Sequence, residues 1–159
     1  MTIERAASHD AWAAAELLIR EYAASLGVSL EFQHFDDEIT HLAREYGPPH
    51  GLMLLARGDG DDLGCGALRG LSDDACEMKR LYVRPAAQCR GIGRAIAAAL
   101  IDEGRRIGYR RMLLDTLPSM HGALALYRSL GFRETEPYRY NPIAGTAFME
   151  LRFEDGRDG

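Results

Sequence analysis

The apolar residues of this chain switch several times between helical and strand spacing. Residues 3–7 open the chain as a short strand. From residue 10 to 26, Trp12, Ala15, Ile19, Tyr22, Ala23 and Leu26 fall on one face at helical period. That predicts an amphipathic helix capped by Asp10 and stopped by Gly27. A second helix is expected after Asp36, with Ile39, Leu42, Ala43 and Tyr46 at helical spacing and Gly47-Pro48 as its end. Residues 52–56 form an unbroken apolar run, the mark of a strand covered on both faces. Gly58-Asp59-Gly60 reads as a turn and residues 63–70 as the returning strand. After Ser72-Asp73-Asp74, a fourth strand runs over 76–83 and ends at Pro85. A long helix follows over 91–106, with Ile92, Ile96, Ala99, Leu100 and Ile107 as its buried stripe. Residues 112–117 make a fifth strand. Ser119 can cap a helix to residue 130, with Ala123, Leu126, Tyr127 and Leu130 on one face and Gly131 as its stop. Residues 132–138 and 146–153 close the chain as strands.

The order is β-α-α-β-β-β-α-β-α-β-β, an α/β domain with a mixed central sheet. A length of 159 residues suits one domain, taken here as 1–153, with 154–159 as a flexible tail. A chain of this size buries a core large enough to need neither disulfides nor a metal. Its three cysteines, Cys65, Cys76 and Cys89, are odd in number and lack C-x-x-C spacing, which suits free thiols in a reducing compartment. The N-terminus is charged from residue 4, without the apolar stretch of a secretory leader, and no apolar run reaches membrane-span length. The expectation is a cytoplasmic protein. No histidine or cysteine has metal-ligand spacing, so no metal is expected.

The net charge of −5 argues against nucleic acid as a partner. The charge is uneven, however. From Met78 to Ile101 there is no acidic residue, while Lys79, Arg80, Arg84, Arg90 and Arg94 are basic. This stretch suits an anionic ligand, although a solvated face would read the same.

Within it lies Gln88-Cys89-Arg90-Gly91-Ile92-Gly93-Arg94, between a strand and a long helix. Two glycines two apart let the backbone turn tightly and approach a ligand. The helix start adds unpaired N–H donors and the positive end of its dipole, which together suit a phosphate. Arg90 and Arg94 add charge. A Walker loop would need Lys-Ser/Thr after the second glycine, and Arg94-Ala95 stands there. A dinucleotide fingerprint would need a third glycine or alanine where Ile96 stands. Taken alone, such a pair of glycines also fits an ordinary tight turn.

The pattern Gln88-x-x-Gly91-x-Gly93 resembles the acetyl-CoA pyrophosphate loop of the GNAT superfamily of N-acetyltransferases. The strand CEMKRLYVRP ends just before the loop, as that family's fourth strand does. The later ALALYRSLGF, residues 123–132, is similar to the family's A-x-x-L-Y-x-x-x-G-F helix and turn. The resemblance implies a fold whose fourth and fifth strands splay apart, with helices on both faces of the sheet. It implies acetyl-CoA as co-substrate, its pantetheine arm paired with the backbone of Leu81, Tyr82 and Val83, as a peptide pairs with a sheet edge. Residues 88–94 (Gln88, Cys89, Arg90, Gly91, Ile92, Gly93, Arg94) would hold the pyrophosphate. One position departs from the pattern: Met120 stands where many relatives carry a cofactor-contacting Asn.

The resemblance also implies catalytic roles. Tyr127 matches the tyrosine near the departing sulfur, and a phenol of pKa about 10 can protonate a thiolate of pKa about 8.5; position alone favours a core tyrosine. Glu77 lies eleven positions before Gln88, as does the general base of histone-acetylating members. A partner for Lys79 or Arg80 is its alternative role. An alkyl ammonium must lose a proton before it attacks, so some base is required. Phe32, His34, Asp115 and Tyr138 are the candidate lining of the acceptor pocket, with Phe35, Tyr140 and Asn141 nearby and His121 a further candidate base. The expected activity is transfer of an acetyl group to a primary amine of a small molecule or peptide by direct attack in a ternary complex. The alternative is a non-catalytic acetyl-CoA-binding regulatory module. Exposed final strands in the family often pair across a two-fold axis, so a homodimer through 146–153 is expected.

Overall fold

The computed structural model describes residues 1–27, 29, 34–118 and 120–153. The chain forms β1 (Thr2–Arg5), then three helices: α1 (His9–Ser25), α2 (Phe35–Thr40) and α3 (Leu42–Tyr46). A meander follows of β2 (Leu52–Gly58), β3 (Asp61–Gly70) and β4 (Ala75–Val83). After a 3-10 turn at Pro85–Ala87 come α4 (Ile92–Ile107), β5 (Arg111–Thr116), α5 (His121–Ser129), β6 (Arg133–Glu134) and β7 (Ala147–Arg152). The seven strands make one sheet in the order β1-β2-β3-β4-β5-β7-β6, with β4–β5 its one parallel pair.

The sheet separates two apolar layers, and strand alternation assigns residues to each. Leu52, Leu54 and Ala56 of β2 pack with Ile92, Ile96 and Leu100 of α4 and with Tyr127 of α5. Met53 and Leu55, between them in sequence, pack with Leu18 and Ile19 of α1 and Tyr46 of α3. The continuous apolar run of β2 is thus a strand buried on both faces. The same alternation places Cys76 and Met78 of β4 on the α4 face and sends Glu77 and Lys79 toward α1–α3, where both are buried.

Two features of β4 position the site. It pairs with β5 only over Ala75–Glu77 against Arg111–Leu113, and beyond that the strands diverge. It also carries a bulge: the register shifts between Cys65 and Ala67 of β3, and Arg80 opposite has a φ of 59°. Gly66 faces the bulge, and a Cβ there would lie 2.6 Å from Ile96 Cγ2, so α4 sits directly on the β3 backbone.

Several local expectations give way to packing. The cap of α1 is Ser8, whose Oγ accepts from Ala11 N at 3.1 Å, and Asp10 sits inside the first turn, where its charge still favours the dipole. The second expected helix is two helices, broken at His41. Thr40 Oγ1 and His41 Nδ1 both bond to the carbonyl of Asp37, competing with the helical ladder. Ile107, the last residue of α4, is exposed rather than buried. The strand expected over 132–138 shortens to two residues, and β7 lies between β5 and β6. β7, the strand of the dimer expectation, pairs with β5 along its whole length and with β6 at Met149 and Glu150. Ser119 and the tail 154–159 lie outside the described residues.

Candidate active site

Where β4 and β5 part, the sheet opens into two cavities that share Leu81 and Met120. The first is a groove of about 650 Å³ on the α4 side. Leu81, Tyr82 and Val83 of β4 form one wall, the loop residues Gln88, Cys89, Gly91, Ile92 and Gly93 form its head, and His121, Gly122, Ala123 and Leu126 of α5 face them. Gly91 is the N-cap of α4 with a φ of 77°, and Cys89 also has a positive φ, 63°. The first bond of the helix runs from Ala95 N to Gly91 O, so the N–H groups of the preceding residues remain for a ligand. Gln88 Nε2 donates to Val83 O at 3.0 Å and ties the loop back onto β4. A glycine backbone in left-handed conformation at a helix start, open to a groove, fits a pyrophosphate.

Of the expected cofactor residues, Leu81, Tyr82, Val83, Gln88, Cys89, Gly91, Ile92 and Gly93 line this groove. Arg90 and Arg94 are exposed beside it, and the Arg94 guanidinium donates to Ser129 Oγ of α5. Met120, at the position of the departure noted in the sequence, lines both cavities.

The second cavity is a narrow pocket of about 40 Å³ between the diverging strands. Lys79 and Arg80 of β4, Asp115 and Thr116 of β5, Tyr22 of α1, Tyr127 of α5 and Asn141 border it. Tyr127 is buried, its ring edge-on to Phe132 at 5.7 Å. Burial raises its phenol pKa above the ordinary value, with smaller contributions from Tyr22 and Asp115. It therefore stays protonated and available as a donor. Asp115 accepts from Asn141 Nδ2 at 3.2 Å. The Thr116 hydroxyl is buried and has no partner among the described residues.

The charged side chains under the pocket are mostly paired. Arg80 donates twice to Glu38 of α2, at 2.8 and 2.7 Å, and stacks on Phe35 at 5.5 Å. Tyr46 donates to the same carboxylate at 2.7 Å. This buried clamp holds α2 against the β4 bulge.

Glu77 is fully buried. Arg69 Nε donates to it at 2.9 Å, Tyr138 at 2.6 Å, and the Arg139 guanidinium makes a third contact. Burial alone would raise its carboxyl pKa, but Lys79, Arg139 and Arg69 outweigh that and leave it below the ordinary value. A fully occupied carboxylate of lowered basicity, outside the pocket lining, does not have the surroundings of a general base. In this arrangement the side chain fastens the β6–β7 connection to β4.

The expected acceptor residues divide. Asp115 lines the pocket. Tyr138 lies outside the lining, donating to Glu77 with its ring edge-on to Phe148. His34 is exposed and borders a neighbouring surface groove with Arg69 and Arg139. Phe32 lies outside the described residues. His121 faces the larger groove. Sequence reasoning missed Lys79, Tyr22 and Thr116 as pocket residues. Lys79 had a signal, being two positions beyond Glu77 and so on the same strand face. Among the described residues no cluster of His, Cys, Asp or Glu could hold a metal ion.

The sequence pattern of the Acetyltransferase (GNAT) family matches residues 12–132. An uncharacterized N-acetyltransferase of Schizosaccharomyces pombe is 44% identical over 138 residues, 86% of this chain and 85% of that protein. An acetyltransferase structure from Streptococcus agalactiae matches with a TM-score of 0.79 at 18% identity, covering 96% of this chain and 98% of that one. A GNAT family acetyltransferase from Elizabethkingia anophelis with acetyl-CoA bound matches with a TM-score of 0.63 at 19% identity, covering 96% and 97%. The loop, the diverging strands and the tyrosine helix stand in one groove, and with these matches the chain belongs to the acetyltransferase (GNAT) family of acyl-CoA-dependent N-acetyltransferases.

Proposed function

We propose that the protein moves an acetyl group from acetyl-CoA to a primary amine of a small molecule or peptide, by direct attack in a ternary complex. The observation that carries this is the joining of the two cavities: the phosphate-type groove and the narrow pocket share Leu81 and Met120, with Tyr127 at the pocket. A thioester laid along the groove reaches an amine entering the pocket without a covalent enzyme intermediate. The backbone N–H near Val83 polarises the thioester carbonyl. The Tyr127 hydroxyl donates to the sulfur as it leaves. Glu77 positions the segment that carries Tyr138 and Arg139 and leads to Asn141 at the pocket. The cytoplasm is the compartment we assign, since Cys65, Cys76 and Cys89 are free and two of them are buried.

An amine-library screen with acetyl-CoA, following thiol release, tests the reading, and initial rates with the accepted amine should give the intersecting pattern of a ternary complex. If no amine is acetylated while calorimetry shows tight acetyl-CoA binding, a non-catalytic binding module replaces it.

A further inference from the structure

The Glu77 carboxylate is held by three donors, and the pocket contains one amine of its own. Lys79 is the sole lysine of the chain: of nineteen lysines and arginines, eighteen are arginine. Arginine serves the surface ion pairs, at Arg5, Arg57 and Arg111 for example. It cannot give up its proton in a protein, whereas lysine can once it is desolvated. The one residue able to do so is 6% exposed and borders the pocket with Tyr22, Asp115 and Tyr127.

We propose that Lys79 is the general base of the acetyl transfer, taking a proton from the acceptor's ammonium in the pocket between β4 and β5. The inference rests on the acetyltransferase reading above. Its electrostatics agree with its place. Burial pushes the Lys79 amine down to about 7, with Arg80 next in effect. Arg69 of β3 and Arg139 from the β6–β7 connection push the same way, and Glu77 opposes them. Glu38 of α2 also faces Lys79, but Arg80 already holds it. Tyr22, Asp115 and Tyr127 face it across the pocket from α1, β5 and α5. A base that titrates near neutral pH is half deprotonated at the pH where it must work.

The step balances. The acceptor ammonium gives one proton to Nζ, and the neutral nitrogen attacks the thioester carbon. The C–N bond forms, the C–S bond breaks, and the second nitrogen proton goes to the sulfur through the Tyr127 hydroxyl. The products are an amide, a free thiol and one proton, which Nζ releases to solvent.

A single lysine makes the test direct. In protein labelled with ¹³C-lysine, the one side-chain Cε signal should titrate with a midpoint near 7; a midpoint at the ordinary lysine value of about 10.4 overturns the proposal. With an amine from the screen, Lys79→Met and Lys79→Arg should lower kcat/KM by about 100- to 10,000-fold near neutral pH. The loss should shrink as pH approaches the pKa of the amine itself, with acetyl-CoA affinity unchanged. A purely structural lysine would lower the rate equally at every pH, and that profile also overturns the proposal. So does acetylation of Lys79 itself by acetyl-CoA, read by mass on the peptide carrying it. If the wild type acetylates no amine, the functional reading fails, and the titration still decides the state of Lys79.

Discussion

The two cavities that meet at Leu81 are built from opposite materials. The groove at the head of α4 is made mostly of main chain, glycine and small or apolar side chains, and among the described residues no acidic or basic side chain other than the exposed His121 lines it. The pocket between β4 and β5 is bordered by lysine, arginine and aspartate and rests on a buried ionic network. A cofactor common to a whole family can be held by backbone N–H groups, which any sequence with the right glycines supplies. An acceptor that differs between relatives is read by side chains, and burying their charges obliges each to have a partner. One site is a property of backbone path, the other of side-chain electrostatics.

The largest effect should come from breaking the pocket's network. Glu77→Ala leaves Tyr138 and Arg139 without this acceptor and Arg69 with Glu45 alone, and loss of one partner from a buried ion pair costs about 3–5 kcal/mol. Urea unfolding should show that drop, while acetyl-CoA affinity of the folded fraction stays as in the wild type. An unchanged unfolding midpoint would refute the strut role.

Next is Tyr127→Phe, which keeps the ring against Phe132 and removes the hydroxyl. Turnover should fall by about 10- to 1000-fold with the fold intact. Equal turnover in the two proteins would remove Tyr127 from the chemistry.

A smaller loss is expected in the groove. Gly91→Val forces a β-branched residue to a φ of 77°, although nothing lies within 4 Å of the new Cβ. Gly93→Val projects into the groove beside Val83 and Leu126. Both should weaken acetyl-CoA binding, Gly91→Val by about 1–3 kcal/mol through strain at a special backbone position and Gly93→Val by filling space in the groove. Calorimetry that finds wild-type affinity in both would move the pyrophosphate elsewhere.

The subtlest effect is on stability against pH. Lys79 has a folded pKa pushed down to about 7 from 10.5. Between those values the unfolded chain binds the extra proton, so this residue makes stability rise with pH from about 7 upward. Cys65 and Cys76, both raised to about 12 from 9.0, act in the opposite sense above pH 9. Melting temperatures should therefore climb between pH 7 and about 8.5 in the wild type and lose that climb in Lys79→Met. Parallel profiles would contradict a buried, neutralised lysine.

The contrast between the cavities also explains how much of each is legible in the residues alone. The loop is legible because its requirement is local: glycines at 91 and 93, a strand before and a helix after. Tyr127 is legible for the same reason, its helix stopped at Gly131 just before β6 begins at Arg133. Glu77 is legible as a carboxylate inside a strand but not as a strut. Its three donors come from β3 and from residues 138 and 139, the last two some sixty positions away. Nothing in the spacing of residues 69, 77 and 139 announces that they meet.

The sequence by itself determined the succession of helices and strands, the doubly covered strands and the phosphate-type loop, since periodicity and glycine placement act over a few residues. Tertiary structure alone decided the strand order that buries β7, the divergence of β4 from β5 after Glu77, and the identity of the side chains at the opening. Those depend on which distant charges find each other in the interior. Desolvation makes a paired charge tolerable and an unpaired one costly, and only the folded chain settles which of them is paired.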